Sequence, residues 1–360
     1  MRLFGLNKLR DVVGADELER RRAHIRSWLL GSLERAGAWY EPGREPHTAG
    51  RVGRGFVSAE SAALWIRTEA EQWWPAYAEA SELGEHETVV DVADALHWYS
   101  DVWLSWGNWH RFFSLAVSAA QSLRNPKMEA THLGYLAWAE IVETGERDRA
   151  VLTARSALSA ALRAGDATQE GWANYYVGWA CWLLGRVVEA ADAAEGAIRA
   201  FSLAGEKVGL ESARLLTTMI MNTRGEHLAA IEELENTLAR IQAEPEADGF
   251  LTLITRYAAY LDLVDAYIAV GRYDDGIRAG AIGIGIARSL NDDMRVALMM
   301  RRHIRALIEA GESEAAMAEA EEALRLLGPG SSEAFIFARF RREIAGIKAG
   351  RTTAREARHS

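Results

Sequence analysis

The sequence predicts an all-α solenoid built from helix pairs. A hydrophobic helical run ends in Gly plus a polar residue six times, at Gly107, Gly145, Gly185, Gly225, Gly271 and Gly311, at intervals of 38, 40, 40, 46 and 40 residues. The residues 5, 9 and 12 positions after these glycines are mostly small: Ala150, Ala154, Ala157; Ala190, Ala194, Ala197; Ala316, Ala320, Ala323. Only six prolines occur in 360 residues, so long helices run uninterrupted. A fixed period of this size marks supersecondary units that bury their apolar faces by stacking on one another.

Residues 1–86 read as a helical segment ahead of the array. Over 15–36, Leu18, Ile25, Trp28, Leu29 and Leu33 fall on one helical stripe with arginines opposite. The Gly/Pro/Arg-rich stretch at 41–55 has no periodicity and predicts a mobile surface loop. Ser58, with Ser61 nearby, offers an N-cap for the next helix, although the acid of a capping box is absent. That helix carries Leu64, Trp65, Trp73 and Trp74, and Pro75 predicts a kink in it.

The array is expected over 87–330. Pair one is read at 88–105 and 109–123, pair two at 127–144 and 147–163, and pair three at 168–184 and 187–203. Pair four follows at 207–224 and 227–242, pair five at 250–270 and 273–290, pair six at 293–310 and 313–327. Breakers stand between them: Asn125-Pro126, Gly165-Asp166, Ala204-Gly205-Glu206 and Glu244-Pro245, with Gly328-Pro329-Gly330 after the last. The 46-residue interval contains the extra loop 244–249. A last amphipathic helix over 331–350 would cap the stack, and 351–360 reads as a disordered tail.

The spacing of small residues after each Gly matches the tetratricopeptide repeat (TPR), in which bulky residues would keep the two helix axes apart. A period near 40, against 34 for the ordinary repeat, makes each helix about one turn longer. The expected architecture is a TPR-like right-handed superhelix of about six pairs.

Three further stretches carry a more specific resemblance. The opening MRLFGLNKLRDVVGADELERRR resembles the end of a winged-helix segment running into its following helix. FVSAESAALWIRTEAEQWW resembles a stretch of pattern F-x-S-x-x-x-A-x-x-W-L-x-x-E-x-x-N-L, through Phe56, Ser58, Trp65 and Glu69. DVADALHWYSDVWLSWGNW then resembles LADALWWYF…RGxW, through Ala93, Leu96, Trp98, Tyr99 and Trp109. Together they resemble the C-terminal TPR sensor region of bacterial STAND-type regulators, among them the antibiotic-regulatory activators. In that family a DNA-binding domain and an ATPase domain lie upstream; no G-x-x-x-x-G-K-[ST] occurs in this sequence, so the resemblance implies only the sensor and interaction role. Gln72 and Trp73 depart from the family's Asn and Leu, which implies a specialised packing of the N-terminal helices.

Composition narrows the function. Residues 1–55 carry a net charge of +4 and the remainder −14, so the array would repel a phosphate backbone and direct nucleic-acid binding is not expected. No window approaches 18 apolar residues and no signal-peptide core precedes the first charges, so neither a membrane span nor export is expected. The single Cys181 suits a reducing compartment, and the location read from these features is cytoplasmic. Neither G-x-S-x-G nor H-E-x-x-H occurs. Gly280, Gly283 and Gly285 echo a phosphate loop, but no strand precedes them and two fall on small-residue positions. The chain is read as a non-enzyme without a cofactor or metal.

In a TPR stack the first helix of each pair lines the concave face. Counting 13, 10, 6 and 3 positions back from each Gly places Asp94, His97, Asp101 and Leu104 there, then His132, Tyr135, Ala139 and Val142. Pair three gives Trp172, Tyr175, Trp179 and Trp182, one continuous aromatic stripe. The later pairs give Ser212, Leu215, Met219, Asn222; Ala258, Leu261, Asp265, Ile268; Leu298, Arg301, Arg305 and Ile308. Half exposure of four large aromatics makes a patch of roughly 300–500 Å², which something should cover: a peptide or protein, a small apolar ligand, a second copy of the chain, or its own N-terminal helices. The other reading of the stripe is core. Every one of the 13 tryptophans lies at or before residue 182. Arg301 and Arg305 would clamp a partner's carboxylate or pair with the array's own acids. The expected function is a protein-interaction or ligand-sensing module in a transcriptional regulator. The alternatives are an adaptor or chaperone holding a client peptide, and an enzyme of secondary metabolism with a Trp-lined pocket, Asp94, His97 and Asp101 supplying its acid–base or metal-binding groups.

Overall fold

The computed structural model describes residues 14–41, 53–243 and 250–327. The described residues form fifteen α-helices and no strand. Most of the loop expected at 41–55, the opening stretch to residue 13, the 244–249 loop, the cap at 331–350 and the tail at 351–360 lie outside them. The chain divides into two compact units, Met1–Glu206 and Lys207–Ser360.

The first unit opens with α1 (Ala15–Gly37), α2 (Ala59–Thr68) and α3 (Ala70–Glu82), followed by α4 (His86–Ser100), where pair one begins. In α1, Leu18, Leu29, Leu30 and Leu33 are buried as a stripe, but Ile25 is exposed and Trp28 sits at its edge. The turn between them buries Arg26 instead, because its guanidinium is held by Glu79 (3.1 Å) and Glu85 (2.6 Å). At α2 the capping box is complete without an acid: the Ser61 backbone N–H donates to Ser58 Oγ, and the Ser58 N–H to Ser61 Oγ. The single kinked helix expected around Pro75 is two helices that part at Glu69. Pro75 then sits inside α3, six residues after the break.

Pair one continues with α5 (Trp109–Ser122), pair two is α6 (Pro126–Ala139) and α7 (Arg147–Ala164), pair three α8 (Ala167–Leu183) and α9 (Val187–Ala204). Two first helices end differently from expectation. α4 stops at Ser100 and a 3-10 turn follows at Leu104–Trp106, while α6 runs into a π turn at Glu140–Thr144. From α7 onward the bounds fall within two residues of those read from the sequence.

The second unit holds α10 (Lys207–Thr223), α11 (His227–Gln242), α12 (Phe250–Ala269), α13 (Tyr273–Ser289), α14 (Asp293–Ala310) and α15 (Ser313–Leu327), which are pairs four to six.

The chemistry of the termini repeats. All six punctuating glycines have positive φ, between 69° and 88°, where a side chain would be strained. After Gly185, Gly225, Gly271 and Gly311 the next N–H reaches back to the carbonyl five residues earlier, as from Arg186 to Cys181 and from Glu226 to Met221, both 2.9 Å. The first helices of pairs two, three and six begin with side-chain caps: Asn125 Oδ1 accepts from Lys127 and Met128, Asp166 Oδ1 from Gln169, Asp292 Oδ1 from Arg295. The alanines that follow each Gly in pairs two, three and six are all buried, which lets paired helices approach closely. Within each unit a second helix that is followed by another pair packs between the first helices of its own and that pair, and first helices also touch each other, α4 with α6, α6 with α8, α10 with α12 and α12 with α14. That inner layer carries the groove positions.

Candidate functional site

Pairs one to three bring the aromatic and acidic residues read from the sequence onto one face. Trp172, Tyr175, Trp179 and Trp182 are each half-buried, so the stripe is neither core nor fully exposed. Their spacing along α8 holds them in a row: Trp172 meets Tyr175 edge-on at 5.8 Å, and Tyr175 meets Trp179 at 6.0 Å. Behind the row, Tyr176 and Phe201 back the ring of Trp172. Gly171 makes room for this, since a Cβ there would stand 2.5 Å from the Phe201 ring.

Trp98 on α4 extends the aromatic surface, its ring 6.0 Å from that of Trp172. Counting back from Gly107 did not select Trp98; it follows His97 directly and lies one position off the counted register. Next to it, the His97 ring stacks on Tyr135 at 4.1 Å and 10°. His97 Nδ1 lies 2.7 Å from the Asp94 carbonyl, which accepts only if Nδ1 carries the proton. The Tyr135 hydroxyl donates to Asp94 Oδ1 (3.2 Å), and Trp138 Nε1–H donates to Asp101 Oδ1 (3.2 Å). Two acids from pair one are thus positioned by donors of pair two.

Burial controls the histidines. The His97 ring, enclosed between Tyr135 and Trp98, has its pKa lowered to about 4, burial outweighing the hydrogen bond to the Asp94 carbonyl. His132 is lowered to about 3 by burial and then by the neighbouring His97. Both are neutral at pH 7. His132 is buried, not open as the count predicted, and Ala139 and Leu215 likewise. For pair two the reason is the π turn: a back-count at the α-helical period drifts when one turn is wider. Asp101 shifts for a related reason, since it sits at the end of α4 and not within it. His132 Nδ1 meets no hydrogen-bond partner among the described residues.

The four groups Asp94, His97, Asp101 and His132 do not form a metal centre: no group of three or more ligands suited to a metal occurs among the described residues. Cys181 is buried and its thiol pKa is raised, chiefly by burial.

In the second unit Asp265, Arg305 and Asn222, expected on the groove, are taken up internally. Asp265 receives Arg302 (2.9 Å) and Arg305 (3.7 Å), so Arg305 pairs with the array's own acid. Asn222 donates to the Asp262 carbonyl, and its Oδ1 faces His227 Nδ1 at 3.2 Å. Met219 and Arg301 are half-buried on the same layer. The glycines at 280 and 283 are packing positions: a Cβ would meet His303 at 2.7 Å and Met299 at 2.2 Å respectively. No described helix is long and apolar enough to cross a membrane.

Phe56, Trp65 and Tyr99, among the landmarks of the family resemblance, are packing residues, whereas Trp98 is half-buried on the groove face. Phe56 and Trp65 are buried with rings 5.5 Å apart. Tyr99 is buried and its hydroxyl donates to the Ala63 carbonyl. Trp73, the departure from the pattern, is fully buried against Trp106 and Phe112, and its Nε1–H donates to the Ile66 carbonyl at 2.7 Å.

No protein-family model matches the chain, and no curated protein matches it in sequence. Solved structures do match in fold. A Rap protein complexed with Competence and Sporulation Factor aligns with a TM-score of 0.58 at 12% identity, over 77% of this chain and 77% of that one. The APC/C hetero-tetramer Cut9-Hcn1 aligns with a TM-score of 0.51 at 14% identity, over 94% of this chain and 59% of that one. At such identities the likeness carries the architecture alone, and that architecture is the all-α, TPR-like helical repeat read from the sequence.

Proposed function

We propose that the chain is a non-catalytic interaction module whose partner lies along the first-helix face of pairs one to three. The observation that carries this reading is the half-buried aromatic row Trp172, Tyr175, Trp179 and Trp182, continued by Trp98 and Tyr135. Half-buried aromatics held by their neighbours offer large contact area at little further entropic cost. The fold likeness to a Rap protein solved in complex with Competence and Sporulation Factor supports the choice of a bound peptide or protein over a small apolar ligand. The resemblance to the sensor region of STAND-type regulators supports a regulatory role, as part of or partner to a bacterial transcriptional regulator.

The test is Trp179→Ala in the full chain. Its ring is half-buried at the groove, so helicity should be retained while recovery of a specific partner from native-host extract is lost. Retained recovery with intact helicity contradicts the reading. A metabolite that shifts the melting temperature and quenches Trp emission, with no protein recovered, favours the ligand-sensing form of the same function.

A further inference from the structure

The aromatic wall of α8 has a one-sided hydrogen-bonding chemistry. Its groove positions Trp172, Tyr175, Trp179 and Trp182 are one phenol and three indoles, and an indole N–H donates but cannot accept. Trp98 on α4, beside Trp172, adds a further indole. The tryptophans that fasten the fold bond their N–H groups internally, Trp73 to the Ile66 carbonyl (2.7 Å) and Trp109 to the Trp103 carbonyl (2.8 Å). The N–H groups of Trp98, Trp172 and Trp179 meet no acceptor among the described residues, and none of the three is sealed from solvent. A segment lying on this wall finds donors for its carbonyls but almost no acceptor for its own N–H groups, and each N–H buried unpaired weakens binding. Proline has no N–H. In the polyproline II conformation its carbonyls make no internal hydrogen bonds, and its ring packs against aromatic faces. That helix is also pre-ordered, so little freedom is lost on binding.

We infer that the partner segment is proline-rich and lies along α8 in the polyproline II conformation, its carbonyls accepting from the indole N–H groups of Trp172 and Trp179, with Trp98 supplying a third donor. This rests on the groove reading above and names the chemistry it selects. Trp179→Phe is a suitable probe because Phe keeps an aromatic face and removes the donor.

Random decapeptides displayed on phage are selected on the full chain, and the recovered sequences are synthesised and titrated by Trp fluorescence. The expected result is proline at two or more fixed positions, with binding weakened at least about five-fold in Trp179→Phe and lost in Trp172→Ala. On the peptide side, replacing a fixed proline by alanine restores an N–H and weakens wild-type binding at least about five-fold, whereas N-methylalanine, which has no N–H, retains most of it. That comparison does not depend on any variant folding. Peptides that need Trp172 but carry no fixed proline, or that bind equally well with alanine and N-methylalanine, overturn the proline inference and leave the groove reading standing. If no peptide is selected, or none depends on Trp172, both fall.

Discussion

Gly171 and Gly285, in pairs three and five, show how the same residue has opposite consequences in different surroundings. Both lie inside helices, where Gly costs about 1 kcal/mol relative to Ala. At Gly171 a Cβ would stand 2.5 Å from the ring of Phe201, which is fully buried and has nowhere to move. At Gly285 nothing lies within 4 Å. Gly171→Ala is therefore expected to destabilise by about 1–3 kcal/mol through overpacking, while Gly285→Ala stabilises by up to about 1 kcal/mol; thermal unfolding of the two variants checks both signs. Asp262 supplies a second test at this scale. Its pKa is pushed up to about 7, chiefly by burial, with Arg302 opposing and Asp265 reinforcing the shift. The folded state then holds a proton that the unfolded chain gives up near pH 4, so stability falls as pH rises from about 4 to 7. Asp262→Asn should match wild type at pH 4 and melt a few degrees higher at pH 8, read by circular dichroism. Neither effect was legible in the sequence: glycine spacing marks small-residue positions, but not which neighbour fills the space.

The helices were legible where local chemistry decides their ends. Gly at positive φ, Asn125 before Pro126, and Asp166 and Asp292 as caps all act within a few residues, so their signals survive in the sequence. The ends set by tertiary contact did not. The π turn at Glu140–Thr144 places Glu143 so that its carboxylate accepts from the backbone N–H groups of Trp109 (3.0 Å) and His110 (2.7 Å). The N-terminus of α5 is thus capped by a residue 34 positions away, where the carboxylate also meets the positive end of the helix dipole. Glu143→Ala should cost about 1–2 kcal/mol, the range for losing an N-cap, and hydrogen exchange should quicken first at the start of α5. Loss of protection spread evenly over the unit contradicts this account. The same π turn is why the back-count placed buried His132 on the open face.

Across the whole chain, the confinement of tryptophan to the first 182 residues has two separate causes. Trp73, Trp106 and Trp109 fasten the N-terminal helices to pair one in a continuous aromatic cluster, with Trp74 at its edge. Trp98, Trp172, Trp179 and Trp182 instead remain half-buried on the first-helix face. Composition alone could not separate these sets, because both follow helical spacing; only the neighbours of each ring do. In the second unit Asp265 pairs with Arg305, both expected on the same layer, and with Arg302 beside them, which is consistent with the proposed partner lying on the first unit. The measurement that bears most directly on this is site-specific photo-cross-linking in the native host. A photoreactive residue at Tyr175, on the groove, is compared with one at Leu203, exposed on a second helix of the same pair. A defined partner segment is expected to cross-link from position 175 and not from 203; a partner captured from 203 and absent from 175 would contradict the proposed groove.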